Sequence, residues 1–128
     1  MYEEYNDLVE FRIVYINEAH ASDSDRPVEY AEEKGIKEHT NYKDRCYTAE
    51  MMMAEENITI PCLIDNMDNK VNLAYNAHPD RLFLVRKDGR LAVAAGRGPK
   101  GFKPALEKAN KWLEQYKKTG VEPDISGN

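Results

Sequence analysis

Four short apolar runs, none longer than six residues, set the frame for this chain. Residues 11–16 are β-branched or aromatic on both faces apart from Arg12, the pattern of a strand buried on two sides. A second run follows Pro61 at residues 62–64 and stops at Asp65. The third and fourth, residues 81–85 and 91–95, flank Asp88-Gly89, a two-residue hairpin signal. Helical patterns lie between and after them. Asn41 is placed to cap a helix from Tyr42 to about Glu56, with Tyr42, Cys46, Ala49 and Met53 spaced along one apolar face. A weaker helix is expected over residues 70–76. Phe102, Leu106, Ala109, Leu113 and Tyr116 mark a final one, with Pro104 in its first turn and Gly120 just past its end. Residues 1–10 read as the last turns of a helix, and residues 17–41 as irregular, broken by Pro27 and Gly35. Strands alternating with helices predict an α/β fold with a parallel sheet, to which the late hairpin adds an antiparallel edge.

The 128 residues suffice for one domain around a single core. The expected domain is residues 1–120, followed by a polar, disordered tail at residues 121–128. Eighteen basic against 23 acidic residues leave a net charge of −5. That excludes the basic stripe of a generic nucleic-acid binder. No apolar run approaches the roughly 20 residues of a membrane span, and the acidic start lacks the features of a signal peptide. The chain as given therefore reads as cytoplasmic, with neither nucleic acid nor membrane as partner. Cys46 and Cys62 form no C-x-x-C pair and no disulfide framework. Cys46 falls on the apolar helix face and Cys62 opens a buried strand, where a free thiol behaves as a small hydrophobe.

In open α/β sheets, ligands sit beyond the carboxyl ends of the parallel strands. Glu18 and His20 lie just past one such end and Asp65 past another. An imidazole titrating near pH ~6.5 needs only a small shift to serve as general acid or base, and a carboxylate two residues away on the same loop is placed to orient it. His20, His39 and His78 with Glu18, Asp23 and Asp65 lack metal-ligand spacing, so no metal and no other cofactor is expected. Residues 96–99 lack the phosphate-loop pattern, which leaves them as a strand-to-helix turn whose Arg97 is placed to meet an anionic group.

The segment VYINEAHASD (residues 14–23) resembles the VYIxEAHxSD segment of the iodothyronine deiodinases, a branch of the thioredoxin superfamily. IKEHTNYKDR (36–45) is similar to that family's I-x-x-H and D-R pattern, and IPCLIDNMDNKVNLAYNAHPDRLFLV (60–85) to its P-x-x-x-D-x-M-x-N, A-Y and E-R-L-Y/F segments. GRGPKGF (96–102) resembles its G-x-G-P-x-G-Y loop. The likeness runs from about Tyr5 to Tyr116. It implies a thioredoxin-like mixed sheet flanked by helices, and reductive dehalogenation with a thiol as reductant. Residue by residue, it implies that Glu18 and His20 move protons and that His39 is a second histidine of the same network. Pro79 matches the superfamily proline that is usually cis beside the active site. Asp65, Pro79 and Arg97 are the candidate substrate contacts, for an aromatic or phenolic small molecule.

Members of that family carry a strand and then a selenocysteine or cysteine upstream of these motifs. Here the sequence begins within what would be the first helix, so the first, nucleophile-bearing βα unit is missing, and neither cysteine takes its place. Selenocysteine is encoded by UGA, normally a stop, and a reading frame opened at the next Met would start at Met1. The missing strand would be central to the sheet, leaving two strand pairs with exposed edges. Two repairs are expected: direct antiparallel pairing of residues 11–16 with residues 81–85, or contacts across the gap from a second chain in a homodimer. Two functions follow: a deiodinase-like oxidoreductase domain, inactive without its redox nucleophile, or a non-catalytic binding or structural module that keeps the fold.

Overall fold

A computed structural model of the chain describes residues 1–18, 23 and 29–124. The element order is α1 (Tyr2–Tyr5), β1 (Ile13–Tyr15), α2 (Glu29–Lys34), α3 (Tyr42–Glu55), β2 (Cys62–Ile64), α4 (Lys70–Tyr75), β3 (Phe83–Val85), β4 (Leu91–Ala94) and α5 (Phe102–Thr119). These elements are α/β, and they divide into two compact units, Phe11–His78 and Met1–Glu10 with Pro79–Asn128.

In the unit Phe11–His78, β1 and β2 pair in parallel with Ile13 opposite Cys62, Val14 opposite Leu63 and Tyr15 opposite Ile64. The ladder continues past both ends, from Ile13 N–H to the Pro61 carbonyl at 3.0 Å and from Asp65 N–H to the Tyr15 carbonyl at 2.9 Å. It therefore delivers Asn17 and Asp65 side by side at the carboxyl ends of the strands. Asn41 begins α3 as expected, its side chain accepting the Asp44 N–H at 2.9 Å. The buried face of α3 differs from the expected one. Arg45, Thr48 and Ala49 point inward, while Tyr42 is 47% exposed. Ala49 is on the expected face, but counting apolar spacings rotated the rest of it by about one residue, because the partners that draw Arg45 inward lie outside the helix.

The stretch read as irregular contains α2. It closes on Gly35 at φ +66°, with Ile36 N–H on the Ala31 carbonyl at 2.8 Å and Gly35 N–H on the Glu32 carbonyl at 3.3 Å. This paired closure around a left-handed glycine is a Schellman stop, and it buries Ala31 and Ile36. Six residues offer too little periodicity to stand out in the sequence.

In the other unit, β3 and β4 form the expected antiparallel hairpin, Phe83 opposite Ala94 and Leu84 opposite Val93. Its turn is a residue longer than expected. Gly89 N–H reaches the Arg86 carbonyl at 3.0 Å and Arg86 N–H the Arg90 carbonyl at 2.8 Å. Gly89 has φ +86°, so the link is a three-residue loop with a glycine bulge. Helix α5 packs on β4, burying Val93, Ala95, Ala105 and Ala109 with Leu82, Leu84 and Met1 around them. Leu113, at 1% exposure, extends the buried face of α5. The close approach at the start of α5 depends on Gly101, where an added Cβ would meet the Gly96 carbonyl oxygen at 2.2 Å.

Within its own unit, β1 is laddered to β2, and β3 to β4. The His78–Pro79 bond is trans and the cis peptide lies at Gly98–Pro99; trans is the default for an X–Pro bond unless its surroundings select otherwise. In the segment expected as a tail, Glu122 and Pro123 have partners in the hairpin. Glu122 accepts the Lys87 N–H at 2.9 Å and lies 3.8 Å from the Arg86 guanidinium, which also donates to the Pro123 carbonyl. Residues 125–128 lie outside the described residues.

Candidate functional site

The carboxyl end of β1 turns Tyr15, Asn17 and Glu18 toward the loop that precedes α3. The Tyr15 hydroxyl donates to Glu18 Oε1 and lies 3.6 Å from Met52 Sδ. Its ring meets the His39 imidazole at 5.7 Å between centroids, tilted by 47°. Burial pushes the Glu18 carboxyl above its usual range, since a desolvated carboxylate favours its neutral form. Burial, and then the Arg45 charge, pull the His39 imidazole below its usual value against the opposing Asp44. Both groups are biased toward their uncharged states.

Asn17, Glu18, Glu38, His39, Arg45, Met67 and Asn69 line a polar cleft of about 220 Å³. Two of its side chains hold buried polar atoms without a partner among the described residues, Nε2 of His39 and Oδ1 of Asn69. A buried polar atom left unmatched is costly, and these two residues border one cleft, so together they offer hydrogen-bonding capacity to an occupant.

Two buried charges hold the cleft. Arg45, 2% exposed, donates Nε–H to His39 Nδ1 at 3.2 Å, and its Nη1 donates to the carbonyls of Asp65 at 3.1 Å and Asn66 at 2.8 Å. Asp65, also 2% exposed, accepts Asn66 and Val71 N–H on Oδ1 and Asn72 N–H on Oδ2, each at 2.9 Å. It thereby ties the β2 end to the first turn of α4, whose orphan N–H groups need an acceptor. Asn72 passes the order on, donating to Asn17 Oδ1 at 2.7 Å and accepting His78 N–H at 2.9 Å.

Of the residues singled out in the sequence, the structure brings Glu18 and His39 to one cleft. His20 lies outside the described residues. Asp65 is a buried strut, both of its carboxylate oxygens engaged by backbone amides. Pro79 and Arg97 belong to the other unit. Neither cysteine borders the cleft, and burial raises the Cys62 thiol, which disfavours the nucleophilic thiolate. Among the described residues no three His, Cys, Asp or Glu side chains converge as metal ligands. No described helix is long and apolar enough to cross a membrane.

Tyr15, Arg45 and Asn69 are the residues that reasoning from sequence passed over. Tyr15 was hidden within an apolar strand. Arg45 was visible only as part of the D-R pair in a motif. Asn69 closes the D-x-M-x-N motif, and its left-handed backbone at φ +57° suits an asparagine.

The comparisons with known proteins cover this whole arrangement. The sequence model of a family described as iodothyronine deiodinase matches residues 1–117. A thyroxine 5-deiodinase of Sparus aurata is 40% identical over 121 residues, taking in 89% of this chain and 40% of that protein. A type II iodothyronine deiodinase of Homo sapiens is 33% identical over 116 residues, 88% of this chain and 41% of the relative. A type I iodothyronine deiodinase of Xenopus laevis is 36% identical over 103 residues, 79% of this chain and 38% of the relative. The chain thus spans about two-fifths of the length of these relatives. With both strand pairs and every residue of the cleft inside the matched span, the chain belongs to the iodothyronine deiodinase family.

Proposed function

We propose that the cleft between β1 and α3 is the proton-handling part of a deiodinase-like reductive dehalogenation, acting on a halogenated phenolic or aromatic small molecule. In that reaction a selenolate or thiolate takes the halogen. The carbon–halogen electron pair stays on the ring carbon, which takes up one proton. A thiol then displaces halide from the chalcogen and leaves a selenenyl sulfide or disulfide. Glu18 and His39 move the proton, and Tyr15 holds the Glu18 carboxyl. The observation that carries this reading is the pairing of an acid and an imidazole on one cleft, each biased by its surroundings toward the neutral form. A neutral carboxyl retains a proton to give, and a neutral imidazole both donates and accepts.

The chain by itself is catalytically silent on this reading. What supports that is the placement of its thiols: neither Cys46 nor Cys62 borders the cleft, and the Cys62 thiol is held protonated by burial. The selenolate or thiolate comes from outside the 128 residues.

The test is a titration of the purified, isotope-labelled chain with a diiodophenol, followed by heteronuclear NMR, beside an iodide-release assay with excess dithiothreitol. Expected are shift changes centred on Asn17, Glu18, His39 and Asn69, and no iodide. Iodide release would overturn the silent chain. Shift changes that avoid these four residues would overturn the cleft, and would favour a structural module with no small-molecule ligand.

A further inference from the structure

We propose that Arg45 is the positioning residue of the cleft: by donating Nε–H to His39 Nδ1 it holds the imidazole in the tautomer that carries its proton on Nε2. The assignment follows from what each partner is able to do. A guanidinium only donates and does not lose its proton in a protein. The nitrogen that faces it at 3.2 Å must therefore present a lone pair. In the neutral ring the remaining proton is then on Nε2, the buried atom that has no partner among the described residues.

The geometry resists rearrangement. Arg45 is 2% exposed, and its Nη1 is fixed by the Asp65 and Asn66 carbonyls. The guanidinium cannot swing away without abandoning both carbonyls. On the other side the Tyr15 ring packs against the imidazole and limits its rotation. Among the described residues, the charged and titratable groups facing His39 come from α3, the end of β1 and the loop before α3. Arg45 and Asp44 come from α3, Tyr15 and Glu18 from the end of β1, and Glu38 precedes it in the loop. Asp44 is engaged by Thr40 and Asn41 at the helix cap, so it is no competitor for Nδ1. A second proton on His39 would have to enter at Nδ1, against the Arg45 N–H. His39 thus offers the cleft one proton of fixed direction, and it resists becoming a cation.

This inference rests on the proton-handling reading for its purpose, but its test does not use turnover. The whole chain, labelled at histidine nitrogens, is examined by NMR, with His39→Gln to assign the His39 signals. In the unmodified chain a pyridine-like Nδ1 and a pyrrole-like Nε2 are expected; a protonated Nδ1 overturns the proposal without any variant. Arg45→Met keeps the apolar stem and removes the donor. The fixed tautomer is then expected to give way to a mixture, and the His39 titration midpoint to rise as the neighbouring cation is lost. Arg45→Lys keeps the cation without the rigid fork. It is expected to hold the midpoint within a few tenths of a unit of the original, yet to lose the single tautomer. An unchanged tautomer in a folded Arg45→Met chain refutes the positioning role. A diiodophenol that fails to shift the cleft while the tautomer holds refutes the functional reading alone.

Discussion

Asp65→Asn tests how much of this unit hangs on one carboxylate. The substitution keeps the shape of the side chain and turns one oxygen into a donor. Three backbone N–H groups reach the carboxylate at 2.9 Å, two on Oδ1 and one on Oδ2. In the better orientation of the amide, Oδ1 stays an oxygen and the Asn72 N–H faces a second donor. A buried donor left unmatched costs about 1–3 kcal/mol. The two bonds that survive lose their ionised acceptor, and with it roughly half their strength, about 1 kcal/mol together. The expected loss is about 3 kcal/mol, or a fall of about 10 °C in Tm for a chain of this size. Urea unfolding followed by circular dichroism reads the first figure and a thermal melt the second. Hydrogen exchange adds a local readout, because the Val71 and Asn72 amides should lose protection ahead of the rest of α4. A loss under about 1 kcal/mol with both amides still protected would refute the strut and return Asp65 to the ligand-binding candidates.

The remaining predictions concern titration and close packing. Glu18 has a raised folded value, so it adds stability below its unfolded value, and that contribution is lost as pH rises through the folded value; Glu18→Gln, which still accepts from Tyr15, should remove this slope and stabilise the chain at pH ~7, as read from urea midpoints across pH. His39 has a lowered folded value, so its contribution is present above the unfolded imidazole value near pH ~6.5 and is lost as pH falls to the folded value; His39→Gln should flatten that window, and a slope left intact would show that another group titrates there. Gly101→Ala sets a Cβ 2.2 Å from the Gly96 carbonyl oxygen, which only a backbone shift relieves. It should cost about 1–3 kcal/mol in the unit that holds α5, whereas Gly89→Ala meets no atom within 4 Å and strains only through its φ of +86°.

Local signals carried most of the architecture. The spacing of Leu106, Ala109 and Leu113 between Pro104 and Gly120 reads as α5 because one face, one start and one stop agree. Asn41 announced α3 through chemistry confined to four residues. The hairpin was announced by Asp88-Gly89, although Gly89 sits in a loop one residue longer than the dipeptide alone implies. What was illegible depends on partners far away in the chain. Arg45 is charged and by composition belongs outside; only the carbonyls of Asp65 and Asn66, 20 and 21 residues on, explain its burial. Asp65 stands at a strand end like a ligand-binding residue, and nothing local says that α4 will consume both its oxygens. Glu18 stood out by its place past a strand end and His39 through resemblance, and the fold relates them: Tyr15 bonds to one and its ring meets the other at a tilt.

The two strand pairs also set an order in time. In the hairpin, Phe83 and Ala94 are 11 residues apart, whereas Ile13 and Cys62 of the parallel pair are 49 apart. Closing the longer loop costs about 1.3 kcal/mol more in chain entropy, and no tight turn offsets it. The parallel ladder is therefore expected to zip late in refolding, with amides of residues 83–94 protected in pulsed exchange before those of residues 13–15. The cleft is built on that ladder. A newly made chain would then carry Glu18, His39 and Arg45 unassembled for longer than any part of the hairpin, and agents that capture partly folded chains would meet this site first.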